Sequence, residues 1–178
     1  MDGEGDIWIF AYGSLMWRPG FAYVEAAPAL LRGYHRAFCV YSWRYRGTPE
    51  RPGLVLGLDR GGSCRGRAFR VARERAEDVL AYLEKRELSN RIYHRRLLSI
   101  SLPNGRAKAY AHVARRDHRQ YAGKLSLDRA AELVADGVGA MGPAYEYLEN
   151  TVAHLDALGI HEPRLHDLLT RTRALRGL

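Results

Sequence analysis

The stretch Ile7-Trp8-Ile9-Phe10-Ala11-Tyr12-Gly13-Ser14-Leu15 decides how this chain is read. Its run of apolar, aromatic and β-branched residues predicts a short buried strand. The run breaks at Gly13-Ser14, so Tyr12-Gly13-Ser14-Leu15 is a strand end passing into a tight turn. Gly13 has no side chain, which opens positive φ to it and lets a ligand approach its backbone. Successive N–H groups in such a turn can point one way and cradle an oxygen anion. Two readings stand at this point: a site for a carboxylate or amide carbonyl, and an ordinary strand-to-loop turn.

Around that stretch, 178 residues suit one domain, 1–178, with a well-buried core. No window approaches the apolar length of a membrane helix, and the acidic start Met1-Asp2-Gly3-Glu4-Gly5-Asp6 is no secretory signal. Cys39 and Cys64 fall in strand-like segments and read as reduced core residues of a cytoplasmic protein. The net charge of +8 favours either nucleic acid or a small acidic substrate. The arginines are scattered rather than striped, apart from Arg171, Arg173 and Arg176 near the C-terminus.

Further along, Trp17-Arg18-Pro19-Gly20-Phe21 is a turn with aromatic anchors, and Tyr34 to Tyr41 reads as a strand. Arg46-Gly47-Thr48-Pro49-Glu50-Arg51-Pro52-Gly53 must be a loop, because its prolines and glycines suit neither strand nor helix. Leu54 to Leu58 is an apolar strand, and Asp59-Arg60-Gly61-Gly62-Ser63 predicts a hairpin returning through Cys64 to Val71. Ala72 to Glu87 carries the clearest helical pattern. Arg95–Leu102 and Arg106–Val113 form a second hairpin around Pro103-Asn104-Gly105. Ser126 caps a helix from Leu127 to about Asp136. Pro143 opens another that stops at Gly159, and Pro163 opens the last. This order of strands and helices gives an α+β domain.

One carboxylate stands out. On a helical wheel Ala76, Val79, Leu80 and Leu83 share a direction, and Glu87 lies about 30° from its centre. Glu84 and Glu77 fall about 90° and 110° away, and Glu74 points nearly opposite. Glu87 therefore extends the apolar stripe. Desolvation there would raise its pKa towards neutrality and suit it to take a proton and return it. The competing reading is a helix-end residue in water or paired with Arg91. The seven histidines show no HExxH or paired-ligand spacing, and His161 and His166 straddle Pro163, so they are not expected to share a helix face. No metal or cofactor is expected. Ser14 has no histidine assigned to it, and Glu50 is a second acidic candidate that reads better as a surface or lid residue.

Four ordered motifs now carry a resemblance. Phe10-Ala11-Tyr12-Gly13-Ser14-Leu15-Met16-Trp17-Arg18-Pro19-Gly20-Phe21 and Arg46 to Gly53 resemble the first and second signatures of the ChaC-type γ-glutamylcyclotransferases. Tyr82-Leu83-Glu84-Lys85-Arg86-Glu87 is similar to that family's helix ending in Arg-Glu. Gly142-Pro143-Ala144-Tyr145-Glu146-Tyr147-Leu148 and Leu158-Gly159-Ile160 fit its C-terminal part. The resemblance runs from about residue 7 to residue 169. It implies a small β-barrel decorated by helices and cleavage of glutathione to 5-oxoproline and Cys-Gly. By the same match Glu87 is the catalytic acid/base, Tyr12, Gly13, Ser14 and Leu15 bind the γ-glutamyl group, and Tyr147 sits in the pocket. The chain departs from the pattern after Glu87. Leu88-Ser89-Asn90-Arg91-Ile92-Tyr93 replaces the small-residue, Gly-rich stretch of many members, which leaves another γ-glutamyl donor open.

Two rival functions remain. One is a nucleic-acid-binding domain, supported by the basic charge and by Tyr41-Ser42-Trp43-Arg44-Tyr45-Arg46, where aromatics alternate with arginines. The other is a family member that binds or senses a γ-glutamyl ligand without turning it over.

Overall fold

The protein is described by a computed structural model that covers residues 5–87 and 91–178. The predicted opening strand is β1 (Ile7–Ala11), buried along almost its whole length. Next come β2 (Glu25–Ser42), β3 (Gly53–Val71), α1 (Arg73–Glu87), β4 (Tyr93–Leu102) and β5 (Gly105–Ala114). The five strands close into a barrel in the order β1-β3-β2-β4-β5. β1 runs antiparallel to β3, with Ile7 opposite Val71 and Ala11 opposite Arg67. It runs parallel to β5, with Ile9 beside Tyr110. This parallel seam makes the barrel mixed, and the α+β expectation takes this form.

The chain divides into two compact units, Met1–Arg36 with Leu58–Arg115 and Ala37–Gly57 with Arg116–Leu178. In the first, Ile9, Phe10, Leu31, Phe69 and Ile100 are almost wholly withdrawn from water. Each such side chain contributes about 1.5–3 kcal/mol of burial, the main force holding the wall together. The β4–β5 hairpin follows the reading at Asn104-Gly105 in full register, from Tyr93 opposite Ala114 to Leu102 opposite Gly105. Helix α1 buries Val79 and Leu83 and half-buries Ala76 and Leu80.

The hairpin expected at Asp59-Arg60-Gly61-Gly62-Ser63 does not form. β3 passes straight through that segment as one strand. Gly61 and Gly62 take positive φ, 102° and 69°, and the His35 ring lies 2.9 Å from the Gly61 carbonyl. The glycine pair therefore bends a continuous strand instead of reversing it, as barrel walls require. β2 also starts at Glu25, well before the expected Tyr34, and is bent at Gly33, φ 89°.

His112 stands in the barrel wall opposite Arg95 and is 3% exposed. Its Nε2 has no hydrogen-bond partner among the described residues. Burial, and secondarily the Arg95 charge, pulls this imidazole down to about 4.

The second unit holds α2 (Leu127–Asp136), the two-residue strands β6 (Val138–Gly139) and β7 (Gly142–Pro143), α3 (Ala144–Ala157) and α4 (Pro163–Arg176). The caps follow the sequence. The Ser126 hydroxyl accepts from the Arg129 N–H at 3.2 Å, Pro143 precedes α3, and Pro163 opens α4. The β6–β7 hairpin was not expected, being too short to show periodicity. It is tied to Arg44 and Tyr45, whose carbonyls accept from the Ala140 and Met141 N–H groups. Cys39 and Cys64 are both buried. Among the described residues no helix is long and apolar enough to cross a membrane.

Candidate active site

In the first unit the chain leaves β1 through Tyr12 and Gly13 into a single 3₁₀ turn, Ser14–Met16. The Met16 N–H donates to the Gly13 carbonyl, and the Arg18 N–H donates to that of Ser14. Gly13 adopts φ −136° and ψ −134°, so the positive φ open to glycine is not used. Tyr12 and Leu15 are buried, while Ser14 is exposed. The first N–H groups of a helical turn have no acceptor within it, and those of Ser14 and Leu15 stand at that position.

Two arginines hold this segment. Arg36, 4% exposed, donates from Nε to the Tyr12 carbonyl at 2.6 Å and from a terminal nitrogen to the Arg65 carbonyl at 2.7 Å. Arg86, in the last turn of α1, donates to the Ser14 hydroxyl at 3.0 Å and to the Arg18 carbonyl at 2.8 Å, and also reaches the Tyr82 hydroxyl at 3.1 Å. The planar guanidinium, with five fixed donors, can span helix and loop in this way, which an ammonium cannot. Gly20, φ 75°, completes the clasp. A Cβ there would stand 2.2 Å from the Tyr82 hydroxyl, and Phe21 packs edge-on against Phe69.

Glu87 closes α1 beside Arg86, its Oε1 3.8 Å from the Arg86 Nε. Its side chain is 20% exposed, so the wheel placed it correctly on the inward edge of the stripe. Burial raises this carboxyl above the ordinary carboxylate range, and the Arg86 charge pulls it partly back. The carboxyl is therefore shielded, basic for its type, and one residue from the arginine that grips the Ser14 turn. The departure noted after Glu87 begins with Leu88, Ser89 and Asn90, which lie outside the described residues.

Tyr147 belongs to the second unit. Its hydroxyl accepts from the Leu56 N–H at 3.3 Å, and its ring packs edge-on against Phe38, centroids 5.7 Å apart. The Arg46 guanidinium lies over the same ring at 5.5 Å and donates to the Met141 and Pro143 carbonyls. The Arg46–Gly53 segment is thus an ordered loop. The Thr48 N–H donates to the Arg51 carbonyl, and a Cβ on Gly47 or Gly53 would meet backbone atoms 2.2 Å away. Glu50 points into solvent on this loop, which removes it as an acid/base candidate.

Arg36 and Arg86 escaped the sequence reading. Both resemble the many other arginines of a basic chain until their carbonyl acceptors, far away in sequence, are known.

A closed mixed barrel with a Gly-Ser turn on its first strand and a shielded glutamate on the adjoining helix defines a γ-glutamylcyclotransferase-like fold. It superposes on the crystal structure of the yeast γ-glutamylcyclotransferase specific to glutathione with a TM-score of 0.84, at 23% identity over 96% of this chain and 99% of that one. A model of the ChaC-like protein family matches residues 7–175, so the chain belongs to the ChaC-like family. The glutathione-specific γ-glutamylcyclotransferase of Escherichia coli (strain K12) is 35% identical over 97% of this chain and 75% of its own length. γ-Glutamylcyclotransferase 2-3 of Arabidopsis thaliana is 31% identical over 94% of this chain and 88% of its own.

Proposed function

We propose that this protein cleaves glutathione by intramolecular acyl transfer, releasing 5-oxoproline and Cys-Gly, and that residues 1–178 act as one catalytic domain in the cytoplasm. The observation that carries the reading is the shielded, proton-avid carboxyl of Glu87 beside the arginine that grips the Ser14 turn. The named activities of the relatives point the same way.

The substrate's α-ammonium group cannot attack while protonated. Glu87 removes one proton, and the freed amine attacks the γ-carbonyl of the same glutamyl residue. The new C–N bond closes a five-membered lactam. The old amide C–N bond then breaks as Glu87 returns its proton to the departing cysteinyl nitrogen; the ring nitrogen gives up its second proton to that released amine, which leaves as an ammonium, and Glu87 ends as it began. Attacker and carbonyl share one molecule, so holding the chain folded supplies much of the rate. The Ser14 and Leu15 amides grip the α-carboxylate or the developing oxyanion, with Tyr12 and Gly13 shaping the turn. We also assign Tyr147 to the substrate pocket, on the likeness of Gly142 to Leu148 to the family's C-terminal motif.

The nucleic-acid reading has a plainer account in the second unit, where the arginines of its aromatic stretch pack on the chain's own rings. Arg44 lies over Tyr45 at 5.4 Å, Arg119 over Trp43 at 4.9 Å, and Arg46 is committed to the Tyr147 ring. One of the chain's own cations thus already lies over each of these rings, although Tyr45 stays 43% exposed. The assay is glutathione turnover followed by chromatography of 5-oxoproline, with other γ-glutamyl dipeptides as competitors. Product from glutathione supports the assignment. Tight γ-glutamyl binding without product would identify a sensor instead.

A further inference from the structure

We propose that Asp156, His161 and His166 form a binding site for a divalent transition metal of the zinc class at the corner joining α3 to α4. One ligand atom from each side chain can be chosen so that all three lie within 4.8 Å of one another. The His166 Nε2 is 2.9 Å from the Asp156 Oδ1, and the His161 and His166 rings are 4.6 Å apart between centroids. Residue spacing carries no sign of this grouping. His161 is indeed not on the helix that carries His166, but the corner folds it back beside that residue.

The corner is rigid for identifiable reasons. Gly159 takes φ 72°, and the Ile160 N–H reaches back to the Leu155 carbonyl at 2.9 Å, a left-handed helix stop that reverses the chain. Ile160 is buried, which pins the reversal. Pro163 then starts α4, and the Leu165 and His166 N–H groups both donate to the Glu162 carbonyl. Asp156 is thus fixed on the last turn of α3, His161 on the return and His166 on the first turns of α4. Only side-chain torsions remain to be set.

The donor set selects the ion. Two imidazole nitrogens and one carboxylate oxygen suit Zn²⁺, Co²⁺, Ni²⁺ or Cu²⁺, whereas Mg²⁺ and Ca²⁺ prefer all-oxygen shells. With metal–ligand bonds of about 2.0–2.1 Å in tetrahedral geometry, neighbouring donors stand about 3.3 Å apart. An ion entering between Asp156 and His166 therefore opens their present contact by a few tenths of an ångström, and the exposed His161 closes on it. The carboxylate charge and the carbonyl end of α3 both favour a cation there. Water would complete the fourth position, making the site a clip between two helices.

The test uses the full-length chain, freed of any affinity tag and of metal, titrated with ZnCl₂ by calorimetry and with CoCl₂ by visible absorption. The expected result is one equivalent bound, a tetrahedral Co²⁺ spectrum without thiolate charge transfer, and a melting temperature raised by Zn²⁺ but not by Mg²⁺. His161→Ala and His166→Ala should each weaken binding by about tenfold or more, the scale at which even an outer partner of a metal ligand matters. Asp156→Asn should weaken it with the fold intact by circular dichroism. Three outcomes would overturn the proposal: no binding, binding unchanged in both histidine variants, or a thiolate spectrum abolished by substituting Cys39 and Cys64.

Discussion

The Tyr12–Phe21 turn and the Arg46–Gly53 loop look alike as sequence, each with glycine, proline and arginine breaking an apolar pattern. They are held in opposite ways. The first is gripped by Arg36 and Arg86, which take its carbonyls and the Ser14 hydroxyl rather than the amides at the head of the turn. The second is packed against backbone with no room for a Cβ at Gly47 or Gly53, and its own Arg46 reaches out to the β6–β7 hairpin and the Tyr147 ring. A loop held by side chains can offer its backbone to a ligand. A loop held by backbone contact spends it on itself.

The largest effect expected separates chemistry from both loops. Glu87→Gln should lower 5-oxoproline release by about 10³-fold, within the usual range for losing a general acid–base. Both loops should stay folded. Removal of a buried charge should leave the melting temperature at neutral pH unchanged or higher, and a lower value would show that Glu87 is structural. Arg36→Met comes next. It removes the donor that ties the Tyr12 and Arg65 carbonyls together and should cost about 3 kcal/mol in urea unfolding. Gly53→Ala should cost about 2 kcal/mol through overpacking against the Arg46 carbonyl. If it is tolerated as well as a surface change, the second loop is not held as described.

Arg86→Gln sharpens the comparison by loosening one grip on the first loop. It should lower kcat/KM about tenfold, the scale of one charge-assisted hydrogen bond. It should also move the acidic limb of kcat/KM to higher pH, because Arg86 is what draws the Glu87 carboxyl back down. The same sign governs stability. With its folded pKa raised, Glu87's contribution is fully present below its unfolded pKa and is lost as pH rises through the folded one. Glu87→Gln should flatten that part of the pH–stability curve. Thr48→Ala, which removes the hydroxyl accepting from the Arg51 N–H, should cost about 0.5 kcal/mol and leave turnover unchanged.

What could be read from the sequence was local. Glu87 announced itself because helical periodicity places a residue on a face whatever that face meets. Asn104-Gly105, Ser126 and Pro163 fixed their turns and caps by backbone rules that hold anywhere. Gly61-Gly62 misled for the same reason. Two residues able to take positive φ can close a hairpin or bend a strand, and the choice lies with the closed barrel rather than the pair. Arg36, Arg86 and the Asp156–His161–His166 grouping work through partners distant in sequence or across a chain reversal, which spacing does not encode. Tyr147 came from likeness to a family, since nothing in its own helix distinguishes it from Tyr145.

His112 carries a consequence for the conditions in which the protein can work. An imidazole walled in with an unfilled nitrogen stays neutral in the native barrel down to about pH 4, while in the unfolded chain it gains its proton near 6.5. Each step down between those values therefore favours the unfolded chain, by a total of about 3 kcal/mol. Acid therefore weakens the barrel wall through this one ring at the same time as it titrates the carboxylate of Glu87.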